Sequence, residues 1–213
     1  MTVSKKFLPF AVIVLLTGTG APSILAQAQK KAEKSIESMR KTRDEIEKAR
    51  VQKDKTMAAL AQLTAQQGDL KKPLKKLSDE LKKLDKSADN VRKVSADMRV
   101  KTEEFFKVWE QELSNIQNPD LQRKSGERRT QAVQHLEKLS PAIQKTRESF
   151  AALITSLEDI RNYLTLDLSP NGISAVGDMV KKAQTQNEAI DQGLADIEQQ
   201  LNDFAAEFRG GGY

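Results

Sequence analysis

The sequence has no cysteine, which excludes disulfides, thiolate metal sites and a lipobox cysteine to carry a lipid anchor. Its one histidine, His135, cannot supply the paired Glu-x-x-His motifs of a helical di-metal site, nor a usual tetrahedral zinc site. A Ser-His-Asp constellation would need a nucleophile elbow, and none surrounds any serine. Glycine-rich phosphate loops are missing as well, because Gly210, Gly211 and Gly212 lie in the terminal tail. Aromatic residues make up 5% of the chain and glycine is scarce, whereas 31% of residues are charged. That composition suits long helices and coiled coils. No enzyme is expected, and no cofactor or metal.

What the chain does have is an apolar heptad spaced alternately three and four residues apart. In the second segment Leu70, Leu74, Leu77, Leu81, Leu84, Ala88, Val91, Ser95, Met98, Thr102, Phe105 and Trp109 form one seam. The third runs Ala132, Leu136, Leu139, Ile143, Thr146, Phe150, Leu153, Leu157, Ile160, Leu164; the fourth runs from Ile173 and Val176 to Leu201, Phe204 and Phe208. Side chains at these spacings share a helix face, so each seam must be buried against a partner. The first segment is weaker. Ile36, Met39, Ile46, Met57 and Leu60 hold its seam, but Arg43, Arg50 and Lys53 interrupt it. A polar waist is expected there, with packed stems and charged heads reaching water.

Three breaks separate the segments: Gln67-Gly68-Asp69, with Asp69 as an N-cap; Asn118-Pro119-Asp120; and Asp167 to Gly172. Asn-Pro and Pro-Asn-Gly sequences are turn signals, and short turns between long amphipathic helices force antiparallel neighbours. The expected fold is all-α, an elongated antiparallel four-helix bundle of coiled-coil hairpins. Its helices span 29–67, 70–117, 120–166 and 170–208, followed by a flexible tail over 209–213. Pro141 should bend the third helix locally. Gly177 and Gly193 would permit close approach in the fourth.

Residues 1–28 read as a secretory signal peptide. Lys5 and Lys6 precede the apolar run Phe7 to Leu16, and Ala26-Gln27-Ala28 supplies an Ala-x-Ala cleavage site. The run is shorter than the roughly twenty residues that span a bilayer; an uncleaved N-terminal anchor is the alternative. A mature chain without a transmembrane segment, periplasmic or secreted, is expected. Residues 29–117 then carry 22 basic and 16 acidic side chains, and residues 118–213 carry 11 and 14. The two halves should attract each other.

Two clusters are candidates for binding. Lys75, Lys76, Lys82 and Lys83 occupy outward positions of the second segment, and such a stripe could hold anionic lipid headgroups or acidic envelope polymers by charge. Asp79, Glu80, Asp85 and Asp89 interleave it, as they would on an ordinary solvated face. Export argues against nucleic acid as the partner. Phe105, Trp109, Phe204 and Phe208 gather near helix ends at seam positions, which favours structural core over a groove for a partner helix. An antiparallel rod would place Trp109 level with about Val133, buried against Val133 or Leu136 and one of Phe204 and Phe208.

The run Phe105-Phe106-Lys107-Val108-Trp109-Glu110-Gln111-Glu112-Leu113, then Asn118 to Ser125, resembles a bacterial family of exported helical proteins described only as a domain of unknown function. Tyr163-Leu164-Thr165-Leu166-Asp167-Leu168 matches a second signature, and the likeness spans most of residues 35–207. Many members begin with a lipoprotein cysteine, which this chain lacks. The resemblance implies an exported helical bundle and carries over no site residues. The expected role is a non-enzymatic structural or protein-interaction component of the bacterial cell envelope. The alternative is a peripheral binder of anionic lipid or envelope polymer through the second-segment lysines. The partner is an envelope protein or an anionic envelope surface, and oligomerisation is open.

Overall fold

The computed structural model describes residues 22–66 and 68–209, with side chains described for 27–66 and 68–204. Most of the expected leader, the tail residues 210–213 and the side chain of Phe208 fall outside the described residues. Within them the chain forms α1 (Pro22–Ala65), α2 (Lys71–Leu113), α3 (Pro119–Leu166), the short α4 (Pro170–Ala175) and α5 (Gly177–Arg209). No strand occurs among the described residues. α1 packs mainly on α2 and α3 mainly on α5, while lesser α2–α3 and α1–α5 contacts close an antiparallel four-helix bundle. At 1.5 Å per residue the long helices run about 50 to 70 Å.

The turns follow local chemistry. Gly68 adopts φ 93°, a left-handed conformation that glycine takes without the Cβ penalty. Asp69 is not the N-cap of α2: Leu70 holds that position, and the Asp69 carboxylate instead accepts the amide of Lys71 at 3.0 Å. Asn118 caps α3 by accepting the amides of Asp120 and Leu121, with Pro119 in the first turn, where its missing donor is no loss. Ser169 accepts the amide of Gly172 and Pro170 opens α4. A Cβ at Gly172 would lie 2.1 Å from the carbonyl oxygen of Asp167, so only glycine lets the chain turn this tightly. The helix expected over 170–208 is two helices, divided at Val176, whose ψ of 1° departs from the helical value.

The seams of α2, α3 and α5 face inward as their spacing requires. Leu77, Leu84, Leu153, Leu157, Ile160, Leu164, Ile190 and Leu194 are buried in one continuous core. The first helix differs from its expected face. Ser35, Ser38, Thr42, Ile46, Ala49, Lys53, Thr56, Leu60 and Leu63 are its buried residues at heptad spacing, whereas Ile36 and Met39 are only half-buried and Arg43 is exposed. The buried stripe is thus offset by about one residue along the first half of α1. Small and hydroxylated side chains let α1 lie against α2, and their hydroxyls are satisfied locally. Thr42 and Thr56 donate to the carbonyls of Ser38 and Gln52, and Ser35 pairs with Thr102 across the interface at 3.0 Å. One register holds along the whole hairpin: Lys31 meets Glu104, Ser35 meets Thr102, Thr56 meets the Glu80 carbonyl, and Lys76 meets Gln62.

Pro141 lies inside α3. Both it and Glu137 are exposed, so the carbonyl that Pro141 cannot serve has access to water. Of the two helical glycines, Gly193 packs closely, since a Cβ there would sit 2.3 Å from Thr146 Oγ1; nothing lies within 4 Å of a Cβ at Gly177. Gly193→Ala should therefore force α3 and α5 apart and cost about 1 to 3 kcal/mol. Gly177→Ala should leave the melting temperature unchanged or slightly higher. Thermal denaturation of both variants, followed by circular dichroism, measures the contrast.

Candidate functional site

A lysine sits at the centre of the bundle's polar waist. Lys53 is 0% exposed, although its position on α1 led to the expectation of a charged head in water. Its ammonium donates to Asn187 Oδ1 at 2.8 Å and Asp191 Oδ1 at 2.7 Å on α5, and it pairs with Asp54 Oδ1 at 3.0 Å. Two of the ammonium's three N–H donors are thus matched by hydrogen bonds, and Asp54 adds a second carboxylate charge beside it. The carboxylates of Asp54 and Asp191 are 63% and 47% exposed, so they cover a dry cation while keeping part of their own hydration. Nearby, Arg50 spans from Glu47 to Glu198 of α5. These pairs join basic α1 to acidic α5, in the sense expected from the charge of the two halves. The expectation of heads reaching water fails at Lys53 because α5 brings two oxygen acceptors close enough to replace that water, with Asp54 of α1 beside them.

The four candidate lysines of α2 are all exposed. Lys76 donates to Gln62 and Lys83 to Glu80, whereas Lys75 and Lys82 have no hydrogen-bond or ion-pair partner among the described residues. The Glu80 carboxyl is held below the usual carboxylate range, first by its hydrogen bond from Lys83 and then by that from Gln52 of α1 at 2.7 Å. The same pair raises Lys83. Glu80 therefore fastens α2 to α1 as well as pairing with the stripe. Asp79 and Asp85 remain exposed among the lysines, so the stripe is a mixed face with a basic excess.

At the opposite end, Phe105, Phe106, Ala132 and Phe204 form a second core, with Trp109, Val133 and Leu136 packed around it. Phe105 and Trp109 rings lie 5.3 Å apart, and Phe106 meets Phe204 edge-on at 6.4 Å. Trp109 is half-buried rather than largely buried. Its indole N–H donates to Ser125 Oγ at 3.0 Å, about two helical turns nearer the α2–α3 turn than the expected level of Val133. The displacement follows from the compact turn between Leu113 and the Asn118 cap. Arg129 reinforces this end by donating to the Phe106 carbonyl and pairing with Glu110.

Among the described residues no group of three or more His, Asp or Glu side chains is placed to hold a metal, and no helix is long and apolar enough to cross a membrane. Lys53 was legible only as a seam interruption, with nothing in the sequence pairing it to Asn187 and Asp191.

A family model described as "Protein of unknown function (DUF2959)" matches residues 26–208. No curated protein and no solved structure matches the chain.

Removing Asp191 takes one charged acceptor from a buried cation, for which breaking a pair costs about 3 to 5 kcal/mol when nothing compensates. Asp54 and Asn187 hold Asp191→Leu toward the low end. Lys53→Met keeps the volume and should cost less, and Lys53→Met combined with Asp191→Leu should cost less than the two single losses added together. Urea denaturation of the three variants measures this cycle.

Glu80 generates a pH dependence. Its folded-state pKa lies below the unfolded value, so its contribution is present at neutral pH and is lost as pH falls through the folded-state value. Wild-type protein should therefore lose stability on acidification by a margin that Glu80→Gln lacks, as parallel melting curves across the carboxylate range would reveal.

Proposed function

The chain belongs to the DUF2959 family, and we propose that it serves as a non-enzymatic structural or protein-interaction component of the bacterial cell envelope. The observation that carries this reading is a rod built from four long helices, α1, α2, α3 and α5, whose seams pack against one another from the turn at Gly68 to the aromatic end at Phe204. Such a rod offers extended side faces on a stiff frame, the geometry of a spacer or scaffold rather than of a reaction chamber. Envelope placement is supported by the basic start, apolar run and Ala-x-Ala site of residues 1–28. Cleavage near Ala28 would leave a mature chain starting within α1, and sequencing the N-terminus of the mature protein tests the placement.

A second reading is favoured by the exposure of Lys75, Lys76, Lys82 and Lys83. It is peripheral binding to anionic lipid or envelope polymer, in which charge attraction is screened by salt. Crosslinking in the native envelope, followed by mass spectrometry, separates the two. A defined protein partner that survives high salt supports the scaffold. Liposome binding that falls steeply with salt and is abolished when all four lysines become glutamine supports the second. The quadruple variant should stay fully helical, because none of the four side chains is buried.

A further inference from the structure

We propose that the end of the rod formed by the Gly68 and Gly172 turns docks on an anionic lipid surface, with Leu166 and Tyr163 entering the headgroup region inside a collar of lysines. Such docking rests on the peripheral-binding reading and turns it from contact along the flank of α2 into contact at one end. Both turns lie at that end. The bond from Lys53 to Asn187 sets α1 and α5 antiparallel, so at equal rise per residue Ala65 comes level with about Ala175. Charge is missing there, in a chain that is 31% charged. Residues 56–68 contain no charged side chain, and residues 162–176 contain only Asp167. Burial does not account for the gap, because Ala58, Ala61, Gln62, Ala65 and Gln66 of α1 are exposed. Leu166 is 89% and Tyr163 42% exposed, three residues apart on one face of α3, and Pro170 and Ala175 are exposed beyond them. A lone exposed leucine is ordinary. One that stands on an end stripped of charge and ringed by cations marks a contact surface.

The cations stand beside this end. Lys71, Lys72, Lys75 and Lys76 are exposed in the first two turns of α2, and Arg161 is half-buried near the end of α3. Residues 56–76 and 161–176 together carry five basic and two acidic side chains, Asp69 and Asp167 being the acids. Lys71, Lys72, Lys75 and Arg161 have no ion-pair partner among the described residues, so their charge is free to meet phosphate. A tyrosine with a polar tip, a protruding leucine and a polybasic collar are what an anionic bilayer interface receives. A second copy is a poorer occupant. Four helices of about 10 to 12 Å diameter present an end of roughly 500 Å², well below the about 800 Å² that a standard protein interface buries on each side. Two such ends would also bring their lysines together. No helix of the described residues is long and apolar enough to cross a membrane, so attachment is by side chains at the surface.

The test places a reporter at each end. Trp109 lies about 55 Å from Lys71 along α2, and the indole introduced by Tyr163→Trp, in a Trp109→Phe background, lies at the docking end. The full chain as purified from its host is mixed with vesicles of phosphatidylglycerol and phosphatidylcholine whose acyl chains are brominated. Strong quenching of the Tyr163→Trp indole is expected, with wild-type Trp109 unquenched. Leu166→Ser should weaken vesicle binding about tenfold, and Lys71→Gln with Lys72→Gln about thirtyfold at low salt. Lys82→Gln with Lys83→Gln, about 16 Å farther back along α2, should have little effect. All of these side chains are exposed, so each variant should keep the wild-type circular dichroism spectrum. Binding that quenches neither indole, that is unchanged in Leu166→Ser, or that is lost on changing Lys82 and Lys83 would overturn docking by the end and leave the flank of α2 as the contact. Quenching of Trp109 would overturn it in favour of attachment through the opposite end. Failure to bind the vesicles at low salt would overturn both this docking and the peripheral-binding reading. Crosslinking to one envelope protein that Leu166→Ser abolishes, without vesicle binding, would assign the end to a protein instead.

Discussion

An ammonium group withdrawn from water must find oxygen acceptors, and Lys53 finds Asn187 and Asp191 because α1 and α5 run antiparallel at one offset. An apolar heptad by itself tolerates slippage, since a shift of one repeat presents similar side chains to similar holes. A single helical turn of slip would carry Asn187 and Asp191 about 5.4 Å away, leaving a buried cation with Asp54 alone. The Gly68 turn fixes α1 on α2, and the Gly172 turn fixes α3 on α5. Lys53 fixes one hairpin against the other. The bundle's register thus rests on one charge and two glycines as much as on its leucines.

Side-chain size then grades the interior along the rod. Near the Gly68 end, leucines at consecutive seam positions fill the space between helices. At mid-length, Gly193 brings α5 close to Thr146 of α3, and Ala49 and Ala88 line a narrow apolar slot of about 40 Å³. At the far end, three phenylalanines and Trp109 occupy a wider cross-section, with Ser125 and Arg129 satisfying the indole and a helix carbonyl. The run Phe105 to Leu113 therefore lies in the part of the bundle where the packing units are largest.

Three of the four long helices were legible because their seams are made of leucine, isoleucine, valine and phenylalanine, which mark a buried face by hydrophobicity alone. α1 was misread over its first half because Ser38 and Thr42 are buried with their hydroxyls on local backbone carbonyls and Ser35 with its hydroxyl on Thr102, which a hydrophobic pattern cannot register. The same blindness hid Lys53, whose burial depends on residues 134 and 138 positions away. The tight turn before α4 depends on Gly172 pressing against Asp167, a contact that no spacing rule contains, and the apolar spacing runs through Val176 without marking the break there. Of the candidate site, the exposure of the lysines followed from their heptad positions. The pairing of Lys83 with Glu80 is an i, i+3 contact within α2, whereas that of Lys76 with Gln62 did not follow, because it requires the register of a neighbouring helix.

The unequal partnering of the helices also orders the way the chain can assemble. α1 with α2 and α3 with α5 are neighbours along the sequence and share the larger contacts, so each hairpin closes a short loop at small entropic cost. The pairing of Lys53 with Asp191 spans most of the chain and rewards nothing until both hairpins exist. Chain entropy therefore makes the hairpins the natural units of folding and of local opening. Water that enters between parting hairpins finds charged groups to hydrate at the Arg50–Glu198 pair and then at the ammonium of Lys53. The polar waist is in that sense a seam along which the rod can divide without tearing either of its halves.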